Sequence, residues 1–144
     1  DLETYGFDPA HTDRERWTAS YKDVRVKAVL AIEPGLTWQL TPENVRGLDQ
    51  KKLMVIGLGH GVDRMYATDT SERGSGFETL VPEARVETLA PATHFTAMPL
   101  CTENGESILA DEKDDPVCTD PAGTNRKAVH DKIIDLAAQH FGLP

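Results

Sequence analysis

Two segments, one nearly continuously apolar in its second half and one apolar throughout, constrain this chain more than any other feature. Residues 24–32 read Val-Arg-Val-Lys-Ala-Val-Leu-Ala-Ile, and residues 52–58 read Lys-Leu-Met-Val-Ile-Gly-Leu. A strand with one wet face alternates apolar and polar residues, whereas a strand covered on both faces does not, so both runs predict strands inside a layered sheet. The first run ends in Glu33-Pro34-Gly35 and the second in Gly59-His60-Gly61-Val62-Asp63. Such turn residues stop a strand, and each stop carries an acid just beyond it. A third, more alternating segment, residues 84–89, leads to Pro91-Ala92-Thr93-His94-Phe95. The connections are too long for hairpins, which predicts an α/β sheet of mostly parallel strands with flanking helices.

Helix signals fill the connections. Thr12 or Asp13 can cap a brief helix through Arg14, with Trp17 and Tyr21 as an i, i+4 apolar pair. Thr41-Pro42-Glu43-Asn44 has the hydroxyl and proline of a helix start, and Gly47 keeps that helix short. Residues 77–80 suggest a helical turn limited by Pro82. The strongest helix spans 124–140, where Val129, Ile133, Leu136, Ala137 and Phe141 form one apolar face and Gly142 closes it. His130 and His140 on this helix read as surface or helix-end residues. Residues 1–11 read as a linker or cut end, and residues 12–144 as one domain. The start at Asp1 predicts a piece of something encoded longer.

Charge narrows the partners. Fifteen Lys and Arg against 24 Asp and Glu leave a net charge of −9, which repels phosphate backbones and anionic lipid, so nucleic acid and membrane are not expected partners. No apolar run approaches the roughly 18 residues that span a bilayer.

In parallel sheets functional groups collect outside the carboxyl ends of the strands. Glu33, Asp63 and His94 each fall there, on three different connections. A carboxylate that orients a histidine, with the histidine taking a proton from a nucleophile, is the base half of a catalytic triad. The hydroxyl nucleophile of this architecture sits on a Gly-x-Ser-x-Gly turn, and none is present. Gly74-Ser75-Gly76 has the wrong spacing and follows no strand, so Ser75 is rejected as nucleophile.

These segments resemble the C-terminal half of an α/β-hydrolase, in the predicted dienelactone hydrolase and secreted carboxylesterase branch. The likeness rests on residues 26–35, on Leu53-Met54-Val55-Ile56-Gly57 running to Asp63-Arg64, and on Val81-Pro82-Glu83-Ala84-Arg85. Ala92-Thr93-His94-Phe95 and Cys118-Thr119-Asp120-Pro121-Ala122-Gly123 complete it. The turn at Gly59-His60-Gly61 is longer and more glycine-rich than the family's. The resemblance implies that Asp63 is the triad acid and His94 the base, acting on a small carboxylic ester. A serine on an absent or separate N-terminal segment, the expected partner, would be the nucleophile, and no cofactor would be required. Glu33 and Asp69 are the rival acids; Glu33 alternatively lines the substrate pocket, with Trp38 and Phe95. The reading from another class is a non-catalytic α/β binding or structural module.

Cys101 and Cys118 stand seventeen positions apart, and a bridge closing such a loop contributes roughly 3 kcal/mol in the chain-entropy model. A bridge implies an oxidising compartment, periplasmic or extracellular; two free thiols are the alternative. No metal site is expected. His60 and Asp63 lack the further ligands a zinc site needs, and the acidic run 111–115 lacks the glycine of a calcium loop.

Overall fold

The computed structural model describes residues 4, 6, 8, 11 and 13–144, so most of the expected linker and the Thr12 cap lie outside the described residues. Three strands, β1 (Ala28–Ile32), β2 (Lys52–Leu58) and β3 (Arg85–Leu89), form one all-parallel sheet in that spatial order. Register pairs Leu30 with Met54 and Ile56 with Glu87, so each strand carries its even-numbered and odd-numbered side chains to opposite faces. Flanking helices make the architecture α/β in character.

β2 is the sheet's centre, and its composition explains why. Met54, Ile56 and Leu58 pack on one face against Ile133 and Leu136 of α4 (Arg126–Phe141). Leu53 and Val55 pack on the other against Val45, Val81 and Phe77, the last from the single-turn α2 (Phe77–Leu80). Burying each of the larger side chains contributes about 1.5–3 kcal/mol. Asn125 caps α4 by accepting from the Ala128 N–H at 3.0 Å, and Gly142 ends it in the left-handed region, as the sequence pattern requires.

β1 differs from expectation. Only residues 28–32 pair, Val24 and Val26 are exposed, and the strand itself is half-buried rather than covered on both faces. The reason is position: β1 is an edge strand, with no neighbour on its outer side among the described residues.

Three further local differences have physical causes. Asp13 caps α1 (Arg14–Thr18), accepting from Arg16 N–H at 3.0 Å, yet Trp17 and Tyr21 stay exposed because the helix ends before Tyr21. Residues 42–50 form successive turns instead of a helix, with Gly47 at φ 89° breaking the run. The acidic segment contains a helix the sequence pattern did not announce, α3 (Gly105–Glu112), none of whose residues is buried. It starts against the Cys101–Cys118 bridge, which is formed, with Cα atoms 5.8 Å apart. No helix among the described residues is long and apolar enough to cross a membrane.

His140 corrects the surface reading of the last helix. It is 3% exposed, and its Nε2 donates to the carbonyls of Val29 at 3.0 Å and Lys52 at 3.2 Å, fastening the C-terminal turn of α4 to the amino ends of β1 and β2. His130 also turns inward, donating from Nε2 to the Thr96 carbonyl at 2.8 Å.

Candidate active site

Because the three strands run the same way, their exits share one rim, and the three candidate groups emerge there. Glu33 follows β1 directly at φ 49°, a left-handed conformation that a non-glycine residue adopts at a cost of about 1–2 kcal/mol. Pro34 restricts the preceding residue further. Such strain persists only where surrounding contacts over-determine it. Here they do: the Glu33 N–H donates to the Ile56 carbonyl at 2.8 Å. Its carboxylate turns inward, with the side chain 2% exposed.

That carboxylate accepts three hydrogen bonds. Oε1 takes the Leu58 N–H at 2.5 Å, and Oε2 takes the Thr68 hydroxyl at 2.7 Å and Nδ1 of His94 at 3.2 Å. A buried carboxylate without such donors would cost several kcal/mol, so the three donors are what permit it there. Since a carboxylate only accepts, Nδ1 is the donor of this contact, and Nε2 is the ring nitrogen that Glu33 leaves unbound. His94 opens the 3-10 turn His94–Ala97, and its side chain is 30% exposed.

Asp63 is placed otherwise. It closes the 3-10 turn Gly61–Asp63, is exposed, and its carboxylate makes no hydrogen bond among the described residues. The expected pairing of His94 with Asp63 is therefore not what the geometry brings together; Glu33 holds the imidazole. Gly59, at φ 82°, lies where an added Cβ would stand 2.5 Å from the Ala92 carbonyl oxygen and 2.7 Å from that of Asp63. The main chain of Asp63 is thus packed against Gly59, and its side chain is exposed. Asp69, the third acid weighed, accepts from Ser71 N–H at 3.1 Å and lies 3.5 Å from Nε of Arg64.

A cleft of about 420 Å³ opens over His94. Three segments line it: residues 62–65, residues 93–95, and residue 116 with 119–121. Asp63 thus shares the cleft without touching the imidazole's carboxylate. Phe95 lines it too, with its ring edge-on to His94 at 5.5 Å between centroids. Trp38 is absent from the lining; it stacks on Tyr66, centroids 4.4 Å apart. Glu33, buried beneath His94, is not available to contact a substrate.

The third segment carries a half-buried carboxylate, Asp120, whose titration is shifted. Burial of Asp120 by itself raises its pKa, but hydrogen bonds from Arg126 and Thr96, with the charges of Arg126 and His130, outweigh this and hold the carboxyl below its ordinary value. Among the described residues no group of three or more His, Cys, Asp or Glu side chains is arranged to hold a metal ion.

The signal for Glu33 was present in the sequence as an acid at a strand end before proline. What was missing was its direction, which depends on a main-chain donor 25 positions away. No protein-family model, curated protein or solved structure matches the chain. The α/β-hydrolase likeness rests on the sequence motifs alone.

Proposed function

We propose that this chain is the C-terminal part of an α/β-hydrolase and supplies the acid and base of a serine hydrolase acting on carboxylic esters. The observation that carries the reading is the Glu33–His94 contact at 3.2 Å, buried on the acid's side and open to a cleft on the other. Glu33 fixes the tautomer and balances the imidazolium that forms; Nε2 of His94 takes the proton from a serine hydroxyl and returns it to the leaving alcohol. The serine comes from an N-terminal segment, for which the outer edge of β1 offers unpaired backbone groups. The disulfide accords with a periplasmic or secreted setting.

One observation favours the second reading, a non-catalytic α/β module. The cleft lining contains no serine or cysteine among the described residues.

The test uses p-nitrophenyl ester turnover by the chain together with the segment that carries the nucleophilic serine. His94→Ala and Glu33→Gln are expected to lower kcat about 10³- to 10⁴-fold. A large loss with Asp63→Asn and none with Glu33→Gln would return the acid's role to Asp63. No loss with His94→Ala would leave the non-catalytic module.

A further inference from the structure

The Cys101–Cys118 bridge closes an excursion whose returning end, residues 116–121, is one side of the cleft. This end is neither helix nor strand, so something other than a backbone ladder must fix it. Arg126, at the start of α4 and 8% exposed, does so. Its Nη1 donates to the Pro99 carbonyl at 3.3 Å and its Nη2 to the Val117 carbonyl at 2.8 Å, so one guanidinium grips both legs of the disulfide loop. Its Nε and Nη2 also hold the two oxygens of Asp120, at 2.8 and 3.0 Å, in the fork geometry that arginine forms with carboxylates.

From Asp120 the chain of bonds reaches the imidazole's own turn. The Thr96 hydroxyl donates to Asp120 Oδ1 at 2.7 Å and accepts from the Thr93 N–H at 2.8 Å, bracketing His94 between two tied residues. Asp120 is therefore the joint between the cleft's outer side and the turn that presents His94.

We infer that Asp120 and Arg126 are positioning residues that hold the outer side of the cleft, Pro116, Thr119 and Pro121, at the distance from His94 that decides how bulky an acyl group reaches the imidazole. The inference deepens the proposed ester-hydrolase reading and rests on it for the word acyl. The distance itself is a property of the clamp.

Imidazole acylation tests it without any nucleophilic serine. Each histidine's rate of modification by diethyl pyrocarbonate and by the bulkier di-tert-butyl dicarbonate is measured by peptide mass spectrometry. Exposed His60 serves as the unhindered reference and buried His140 as the reporter of unfolding. In the native chain His94 is expected to prefer the small reagent at least tenfold more than His60 does. Asp120→Ala, and separately reduction of the bridge by a dithiol, which leaves two cysteine thiols and a cyclic disulfide of the reductant, should lower that preference at least fivefold. His140 should stay unreactive. Asp120→Asn, which keeps an acceptor for Thr96, should fall between. Thr119→Trp, at an exposed position, should raise the preference at least fivefold.

A preference that moves less than twofold in all of these overturns the inference. So does exposure of His140 in every clamp variant, because the clamp would then hold the whole domain and not the cleft. If the preference shifts as stated but the assembled protein turns over no ester, the proposed function fails while the clamp stands.

Discussion

Neither side of the His94 cleft is built on a strand or an α-helix, and the two are held in opposite ways. The side at residues 62–65 relies on local turns: Asp63 N–H to the His60 carbonyl at 3.1 Å and Arg64 N–H to the Gly61 carbonyl at 3.3 Å. Val62 and Asp63 are exposed, and the one deep anchor is the Arg64 guanidinium, laid over Gly57 and 3.5 Å from Asp69. The side at residues 116–121 has a covalent bridge, a buried guanidinium with four oxygen acceptor contacts and a carboxylate tied to the His94 turn. Rigidity here comes from a buried, fully partnered charge and a cross-link, not from secondary structure.

The contrast is broken most directly at Asp120. Asp120→Ala leaves the Arg126 guanidinium buried without its carboxylate, and is expected to destabilise the chain by about 3–5 kcal/mol in urea unfolding. The effect has a definite pH dependence. Because the folded carboxyl titrates below its unfolded value of about 3.9, its contribution is complete well above that pH and is lost as pH falls through the lower folded value. The stability gap between the parent and Asp120→Asn should thus be full above about pH 5 and close progressively below about pH 4. A gap of constant size across that range would mean that Asp120 acts through shape alone.

A smaller effect is expected beneath the other side. A Cβ on Gly57 would sit 2.5 Å from Arg64 Nη1, so Gly57→Ala must push the guanidinium off the sheet. Overpacking of this kind costs about 1–3 kcal/mol, toward the lower end here because the displaced group is the far end of a flexible side chain. The smallest effects belong to the rim. Val62→Ser and Asp63→Asn should each change stability by no more than about 0.5 kcal/mol, measured by thermal unfolding. If either rivals Asp120→Ala, the two sides are not held differently after all.

The sequence made the centre of the molecule readable and left the joints obscure. β2 was plain because the six residues between Lys52 and the glycine turn leave no polar face. α4 was plain because its apolar positions repeat at helical spacing between Asn125 and Gly142. The strand-exit acids were legible as candidates, but choosing between them required knowing that Leu58 N–H and Thr68 would draw Glu33 inward while Asp63 stays exposed. His140 was unreadable for a similar reason: its acceptor Val29 lies 111 positions upstream. The clamp was hidden because an arginine in the first turn of a helix and an aspartate six residues before it look like ordinary surface charge until the loop between the cysteines folds over them.

The outer edge of β1 has a consequence for anyone handling the purified chain. Its spare amide and carbonyl row, beside a half-exposed Ile32, is a template on which a second molecule can align in register. Shelf life in solution will then depend on how crowded the molecules are, and a proline placed at Ala28, whose N–H points away from β2, would act as a cap against that stacking.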